Sequence, residues 1–305
     1  MSMYTDSDSA QIGITILFSI VIIANLVGNM FVCLVIILYQ DMRTPMNILL
    51  LNLAAADMMV GLFLVPQFIL MQFFKHPDGM TGTIICKTLT GSNIAWVGGG
   101  ASVFTLVVIA FDRYYAVFHP YGRKRKLTNE KLKIIIPASW IFSVILNIPL
   151  FLIIDFDKHV DFCMEHWSSQ WLSKAYSILW LFAAGIIPTM LMIVLYSRVV
   201  YSLWFKDEEN NPKNTRQAVM KVRKRVTKMV LTVSVIYGLC WMPHLTIYTL
   251  NYFSSSYNYG DVTYITSIAV VASNSSVNPF IYVFVNRKFR RKIKSLLCCV
   301  SYSRN

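Results

Sequence analysis

A single acid, Asp57, interrupts an apolar stretch that reads LNLAAADMMVG. An ionisable side chain in such a stretch costs about 2.5–3.5 kcal/mol on membrane-insertion scales, so by default it marks a functional site. Asn274, Asn278 and Tyr282 recur at helical spacing in a later stretch, and Ser102 is a further polar candidate. Four polar groups around one carboxylate could hold a sodium ion, whereas a neutral, hydrogen-bonded Asp57 would only join helices. Both interpretations fit the spacing.

A second row at helical spacing consists of Tyr237, Trp241, His244 and Tyr248, with Pro243 between them. Proline removes a backbone donor and kinks a helix, so a weak point is predicted here. Aromatic rows of this kind more often serve packing than binding. The neighbouring proline nevertheless keeps a ligand-binding interpretation open.

A charged pair followed by an aromatic residue, Asp112-Arg113-Tyr114, closes another apolar stretch. Charged side chains at the end of such a stretch commonly do no more than anchor a helix at the membrane interface. From the residues alone, this interpretation accounts for the pair.

The composition indicates a lipid environment. Hydrophobic residues make up 56% of the 305 residues and charged residues 14%, and the mean hydropathy is +0.54. A soluble domain would carry roughly a quarter charged residues. The six cysteines are too few and too scattered for a disulfide-rich scaffold, and none has zinc-site spacing. The net charge of +13 could indicate nucleic-acid binding, so the location of the charge must decide.

Seven stretches are apolar and long enough to cross a bilayer as helices, for which about 20 residues are needed. They cover residues 12–39, 46–74, 84–117, 131–154, 172–204, 222–250 and 261–285. The third is interrupted by Gly98-Gly99-Gly100 but has no charge between Lys87 and Asp112. The sequence therefore predicts an all-α integral membrane protein, a seven-transmembrane-helix bundle.

The orientation of the bundle follows from Lys and Arg, which are enriched in cytoplasmic loops. Of the 28 Lys and Arg residues, all but Lys75, Lys87, Lys158 and Lys174 belong to one set of connections. That set is predicted to be cytoplasmic together with the carboxyl terminus, and the amino terminus is predicted to be extracellular. Since the basic residues mark loops at one membrane face, they do not indicate a nucleic-acid partner.

These features resemble the class A (rhodopsin-like) G-protein-coupled receptors along essentially the whole chain. The motifs that carry the resemblance occur in order along the spans: Gly28-Asn29, LNLAAAD ending at Asp57, Asp112-Arg113-Tyr114, Trp140, Pro188 with Tyr196, Cys240-Trp241-Met242-Pro243, and Asn278-Pro279-Phe280-Ile281-Tyr282. Each motif alone is weak, but the ordered set is very specific.

The resemblance implies roles for individual residues. Arg113 would reach the G protein, and Tyr196 and Tyr282 would swing inward on activation. The full set implied in coupling and activation is Asp112, Arg113, Tyr114, Tyr121, Tyr196 and Tyr282. The implied sodium site consists of Asp57, Ser102, Trp241, Asn274 and Asn278. A trio linking the pocket to the cytoplasmic opening would be Val103, Pro188 and Tyr237, with Tyr in place of the usual Phe.

The resemblance also implies covalent features. Cys86 and Cys163 would form the disulfide that pins the second extracellular loop to the third helix. Phe289 and its basic neighbours would form a short amphipathic eighth helix, followed by palmitoylation at Cys298 and Cys299.

Three departures from the family pattern stand out. Cys86 lies 27 residues before Arg113, about two more than the family usually shows, and we expect a helical bulge at Gly98-Gly99-Gly100. The first extracellular loop, residues 76–83, lacks the usual tryptophan motif. Arg223 replaces the acid that many family members carry at the foot of the sixth helix.

Two ligand classes are disfavoured by missing residues. Retinal needs a lysine in the seventh span, and none occurs between Asp261 and Asn286. Monoamine receptors carry an acid near the outer end of the third span, and residues 88–111 contain none. The predicted pocket consists of Gln67, Asn93, Trp96, Trp241, His244 and Tyr248, which favours a neuropeptide receptor. A class A receptor for a non-peptide small molecule or a lipid is the alternative.

The charge of the ligand is predicted from the extracellular acids. Asp155, Asp157, Asp161 and Glu165 crowd the second loop beside Cys163. Such a negative field attracts cations, so the favoured ligand is a short cationic peptide. Alternatively, these acids only keep the outer surface soluble.

The predicted organisation is an extracellular amino terminus at 1–11, the bundle at 12–285, and an eighth helix with a cytoplasmic tail at 286–305. We expect a plasma-membrane receptor that binds an extracellular ligand, a heterotrimeric G protein, arrestin and membrane lipids. No cofactor is expected beyond a possible allosteric sodium ion. An enzyme is disfavoured because no intramembrane catalytic pair is present. A transporter is disfavoured by the odd number of spans without internal repeats.

Overall fold

A computed structural model of the protein describes residues 8–73, 76–119, 127–157, 162–206, 214–254 and 261–302. Seven of its helices are long and apolar enough to cross a membrane. They are α1 (Asp8–Leu38), α2 (Pro45–Phe68), α3 (Gly79–Phe118), α4 (Asn129–Ile153), α5 (Gln170–Phe205), α6 (Asn214–Phe253) and α7 (Val262–Val285). An amphipathic helix, α8 (Arg287–Tyr302), follows. The predicted seven-helix bundle with an eighth helix is confirmed.

A two-stranded antiparallel sheet lies between α4 and α5. Its strands are β1 (Ile154–Asp157) and β2 (Phe162–Glu165), with Phe156 opposite Cys163. We call the end of the bundle that carries this hairpin the disulfide end. The opposite end, where α3 finishes, is called the Arg113 end.

The bundle exposes many apolar side chains on its outside and buries polar side chains within an otherwise apolar interior. Ile20, Ile134 and Leu239 are all more than 60% exposed, whereas Asn29 and Asp57 are completely buried. Polar groups in hydrocarbon must find their partners within the protein. Accordingly, the Asn29 amide donates to a backbone carbonyl of α7 at 3.0 Å. The distribution of side chains is therefore that of a protein surrounded by lipid.

Side chains with hydrogen-bonding groups define where several helices begin. Thr44 precedes α2 and its hydroxyl accepts the backbone N–H of Asn47 at 3.3 Å, with Pro45 at the first helical position. Thr128 does the same for α4 with the N–H of Lys131 at 3.4 Å. Such caps satisfy donors that have no partner in the first turn of a helix.

The expected bulge at Gly98-Gly99-Gly100 is wrong, because these residues lie in regular α-helix. The irregularity occurs earlier, in a π-helical turn at Cys86–Thr90 followed by a break before Asn93. Ser92 at the break has a positive φ of 57°. The additional residues thus lie next to Cys86, where a bond to another segment fixes the chain. From Asn93 to Arg113, α3 is continuous.

The three glycines instead permit close packing. A Cβ atom on Gly98 would lie 2.7 Å from the carbonyl oxygen of Ala56, and one on Gly99 would lie 2.6 Å from the Trp241 ring. One on Gly100 would collide with a third neighbour, the Ser143 hydroxyl. Three successive positions of α3 therefore contact α2, α6 and α4 in turn.

The eighth helix is fastened to the rest of the molecule at two places. Phe289 is completely buried, and its ring centroid lies 6.0 Å from that of Tyr282. Lys288 and Lys292 pair with Asp41 at 3.2 and 3.1 Å. These contacts join α8 to α7 and to the connection between α1 and α2.

Candidate functional site

A disulfide fastens the hairpin to α3. Cys86 and Cys163 are bonded with their Cα atoms 5.7 Å apart, so the predicted pairing is confirmed. Phe162, the residue before Cys163, is buried in an apolar cluster with Phe68 and Tyr264. The hairpin consequently covers the disulfide end of the bundle.

A histidine from the connection between α2 and α3 packs against the disulfide. The His76 ring stacks on Phe156 with 4.0 Å between centroids, and its Nε2 lies 3.0 Å from the Thr90 hydroxyl. Its Nδ1 lies 3.0 Å from the carbonyl oxygen of Pro77, which can only accept, so Nδ1 carries the proton. Although His76, Cys86 and Cys163 converge, the sulfurs are bonded to each other and are not thiolate ligands.

Beneath the hairpin lies a cavity of about 330 Å³. Four of the six predicted pocket residues line it, namely Trp96, Trp241, His244 and Tyr248. The sequence interpretation missed the other lining residues, which are Leu150, Glu165, Trp180, Leu245 and Tyr264. These belong to α4, β2, α5, α6 and α7, and none of them falls in the two rows at helical spacing that the sequence singles out.

The aromatic lining is held together by ring contacts. Trp96 stacks on His244 with centroids 5.1 Å apart and meets Trp241 edge-on at 6.3 Å. The Nδ1 atom of His244 lies 2.9 Å from the Ser267 hydroxyl of α7. The floor and one wall of the cavity therefore couple α3, α6 and α7.

Glu165 is the acid at the roof of the cavity. Its carboxylate accepts hydrogen bonds from the Tyr248 hydroxyl at 3.1 Å, from the Tyr252 hydroxyl, and from the Trp167 indole at 2.8 Å. Burial raises the pKa of Glu165, and these hydrogen bonds partly oppose the rise. The sequence placed Glu165 among four similar loop acids, and only the fold distinguishes it.

Two predicted pocket residues lie elsewhere. Gln67 and Asn93 do not line the cavity. The Gln67 side-chain oxygen accepts the hydroxyl of Ser92 at the break in α3. The Asn93 amide donates to the carbonyl of Lys87 at 3.0 Å. Both side chains thus stabilise the irregular start of α3.

Asp57 is completely buried between α2, α3 and α7. Its carboxylate accepts the Ser102 hydroxyl at 3.1 Å and the Asn278 amide at 2.7 Å, two of the expected partners. The Ser275 hydroxyl also interacts with this carboxylate, which the sequence interpretation missed. Ser275 lies one position after Asn274 and outside the row at four-residue spacing, so that row did not include it.

Two other residues of the implied sodium site, Asn274 and Trp241, make no hydrogen bond to Asp57 in the described structure. The side-chain oxygens of Asn274 and Asn278 are buried and have no hydrogen-bond partner among the described residues. Trp241 packs on α3 at Gly99. A carboxylate with nearby hydroxyl and unsatisfied amide oxygens is a donor set that suits a hard cation, so these residues fit sodium.

A tyrosine bridges α6 and α5 below the cavity. Pro188 has no backbone N–H, so it cannot bond the carbonyl of Ala184 four residues earlier. The Tyr237 hydroxyl donates to that carbonyl, and Tyr237 is completely buried. Tyr237, which stands where the family usually has Phe, therefore supplies the hydrogen-bond donor that Pro188 lacks.

At the Arg113 end, a cavity of about 870 Å³ contains the charged pair. Arg113 bonds its neighbour Asp112, and Arg223 of α6 lines the same cavity. Tyr114 packs on Phe118 with centroids 4.7 Å apart. Tyr196 and Tyr282 are buried nearby in α5 and α7. Tyr121 lies outside the described residues, and so do the side chains of Cys298 and Cys299.

Comparison with known proteins identifies the family. Residues 28–282 match the model of the 7 transmembrane receptor (rhodopsin family). The chain belongs to this family. It is a G-protein-coupled receptor and not an enzyme, as its motifs indicate. The receptor is also a multi-pass membrane protein, in keeping with its seven long apolar helices.

Individual relatives of the receptor are receptors for peptides by name. Neuropeptide receptor 22 of Caenorhabditis elegans is 28% identical over 93% of this chain and 70% of its own length. A QRFP-like peptide receptor of Branchiostoma floridae is 29% identical over 94% and 78%. Neuropeptide FF receptor 2 of Rattus norvegicus is 30% identical over 87% and 67%.

Proposed function

We propose that this receptor resides in the plasma membrane, binds a short cationic peptide at the disulfide end, and signals to a heterotrimeric G protein at the Arg113 end. The disulfide end is then extracellular and the Arg113 end cytoplasmic, as the distribution of Lys and Arg indicates. Relatives named as peptide receptors support a peptide ligand.

The observation that carries the proposal is the position of Glu165. It is the only acid that lines the cavity in the described part of the chain, and aromatic rings surround it. A carboxylate favours a guanidinium or ammonium group, and aromatic faces attract cations as well. Asp155 differs, because it accepts the Thr83 hydroxyl and the Phe156 N–H outside the cavity. Glu165 is therefore the counter-charge we assign to the peptide.

The size of the cavity limits what enters. The cavity is small, so it accommodates at most the tip of a peptide and not its whole length. The aromatic lining suits an aromatic or aliphatic side chain next to the positive charge. The rest of the peptide then contacts the hairpin and the outer helix ends.

A screen on cells that express the full receptor tests this function. Amidated peptides that carry arginine should activate a panel of G proteins, and analogues with neutral citrulline in its place should not. Glu165→Gln should lower the potency of the active peptide about tenfold or more, because a hydrogen bond to a charged group is lost.

Asp155→Asn is the matched control, since it removes an acid of the same hairpin that does not line the cavity. Equal losses in the two variants would mean that only the general negative field matters. Activation by a neutral lipid or an anionic ligand alone would overturn the ligand class and leave family membership untouched.

We also propose that Asp57 binds sodium with Ser102, Ser275 and the unsatisfied amide oxygens of Asn274 and Asn278. An ion that binds only this arrangement shifts the population away from the active state. Added sodium should therefore lower agonist affinity, and Asp57→Asn should abolish the effect. Radioligand competition with and without sodium measures it, with potassium as the control salt. A sodium response that persists in the variant would refute the assignment.

At the cytoplasmic side, the proposed coupling residues are Asp112, Arg113 and Tyr114, with Tyr121, Tyr196 and Tyr282. Arrestin is proposed as a second partner of the same surface. Palmitoylation at Cys298 and Cys299 would hold α8 at the membrane, where its basic residues face the anionic leaflet.

A further inference from the structure

A groove of about 780 Å³ runs along the outside of the bundle between α5 and α6. Its walls are aliphatic or thioether groups, from Met192, Ile193, Leu231, Val235, Leu239 and Met242. None of the residues lining it, all within the described part of the chain, carries a charge. The groove therefore suits a neutral, apolar molecule dissolved in the membrane.

Three buried hydroxyl groups without a hydrogen-bond partner among the described residues, those of Tyr196, Ser234 and Thr189, distinguish this groove from an ordinary lipid-facing surface. Tyr196 and Ser234 line it and are only 2% and 7% exposed. Their hydroxyls lie close enough to interact with each other, but the contact does not have the geometry of a hydrogen bond, and neither has another partner among the described residues. An unpartnered hydroxyl in an apolar environment is costly. A molecule that both donates and accepts a hydrogen bond at this point would satisfy both groups.

Gly238 creates part of the space. A Cβ atom added there would meet nothing closer than the methyl group of Thr189, at 3.7 Å. The glycine is thus not required for close packing of α5 on α6, in contrast to the glycines of α3. It leaves a recess in the wall about one helical turn from Ser234.

The depth of the two hydroxyls constrains the ligand. Thr189 and Gly238 lie near the middle of the spans Gln170–Phe205 and Met220–Phe253. Tyr196 lies seven residues further along α5, about 10 Å toward the Arg113 end at 1.5 Å per residue. Half the hydrocarbon thickness is about 15 Å, so the hydroxyl pair lies within the hydrocarbon of one leaflet.

We propose that this groove binds a membrane sterol. Its hydroxyl donates to the Ser234 oxygen and accepts from the Tyr196 hydroxyl, and its rings lie along the apolar walls toward Gly238. A charged phospholipid headgroup is excluded from this depth, and a fatty-acid carboxylate would find no cation in the groove. A sterol combines one hydroxyl with a rigid apolar body.

Sterol binding also affects signalling. A sterol bonded to Tyr196 keeps that side chain in the groove and opposes its inward swing. Sterol should therefore lower signalling, a consequence that rests on the proposed function. Binding itself does not depend on that function, and the test below measures binding.

The test uses the full receptor in nanodiscs with a photoreactive diazirine cholesterol, and mass spectrometry of the labelled peptides. Label should concentrate on α5 and α6 around the groove. Unlabelled cholesterol added as a competitor should reduce this labelling about fivefold more effectively than cholesteryl methyl ether, which lacks the hydroxyl donor. Equal displacement by the two, or equal labelling by a photoreactive fatty acid, would overturn the proposal.

Variants with matched controls sharpen the test. Gly238→Leu fills the groove, whereas Gly13→Leu adds the same side chain at an α1 position with no atom within 4 Å of the new Cβ. Ser234→Ala removes the paired hydroxyl, whereas Thr246→Val removes a hydroxyl of α6 that does not line the groove and bonds the carbonyl of Met242.

Labelling should fall about fivefold or more in Gly238→Leu and Ser234→Ala and stay unchanged in both controls. Gly238→Ala, a better helix former, replaces Gly238→Leu if the latter fails to fold. Undiminished labelling in folded Ser234→Ala and folded groove-filling variants would refute the proposal.

Discussion

The two ends of the bundle are closed in different ways. At the disulfide end, a covalent bond and the hydrogen bonds of Glu165 connect the hairpin to α3 and α6 around a cavity of about 330 Å³. At the Arg113 end, a cavity of about 870 Å³ contains a pair between Asp112 and Arg113, which both belong to α3. A pair within one helix does not hold two helices together. The Arg113 end is therefore the end that can open at lower cost.

The strongest test of this contrast removes the covalent bond. The double variant Cys86→Ser, Cys163→Ser opens a loop of sequence separation 77, which should cost about 4 kcal/mol in the chain-entropy model. We expect a lower thermal unfolding temperature of the purified receptor and loss of agonist binding. In the wild type, both thiols should resist alkylation until they are reduced. Labelling without reduction in native membranes would contradict the bond.

The second test uses pH to weaken the roof of the cavity. Burial raises the pKa of Glu165, so this carboxylate takes up a proton at a higher pH than an ordinary glutamate. Binding of a cationic agonist should weaken about tenfold as the pH falls through that raised pKa. The folded state binds this proton more readily than the unfolded state, so acidification does not destabilise the fold at this site.

Agonist binding measured across mildly acidic pH checks this expectation, with Glu165→Gln as the insensitive control. The Thr83 hydroxyl lowers the pKa of Asp155, so that acid stays charged over the same range. An equal pH dependence in Glu165→Gln would assign the titration to another group.

A third test concerns the link between the two ends. Tyr237→Phe removes only the hydroxyl that bonds the Ala184 carbonyl across α5 and α6. Because a net hydrogen bond contributes about 0.5–1.5 kcal/mol, basal G-protein activation should rise by a factor of about 2 to 10. Unchanged basal activity at equal surface expression would show that this bond does not restrain α6.

The smallest expected effect lies at the Arg113 end itself. Arg113 and Arg223 line the same cavity on α3 and α6 and repel each other. Arg223→Glu should create a pair across the gap and lower basal activity by at most about fivefold, as expected for an ion pair at a wet surface. Arg223→Gln only removes the repulsion, so its basal activity should lie between those of the wild type and Arg223→Glu. A rise in basal activity in Arg223→Glu would contradict this view of the Arg113 end.

The sequence predicts well those features that depend on one helix at a time. The seven spans, the partner Asn278 of Asp57, and the pocket residues Trp241, His244 and Tyr248 follow from apolar length and helical spacing. Features that depend on the packing of two segments do not follow. Glu165 has three neighbouring acids of similar sequence context, and its two tyrosine donors are distant in the chain.

The misplaced bulge has a similar cause. Three glycines suggest a weak helix by propensity, but their lack of side chains is used for contact with α2, α6 and α4. The actual irregularity, at Cys86–Thr90, carries no comparable composition signal and reflects the bond to the hairpin. Propensity was thus overridden by tertiary contacts.

The glycine triplet has a consequence for heritable variation. Every possible replacement of a glycine adds a Cβ atom, and at Gly98, Gly99 and Gly100 that atom collides with a different helix. A second change in one neighbouring helix can relieve only one of the three collisions. Selection should therefore act against missense alleles at each of the three positions, and the collision that disfavours them differs from one position to the next.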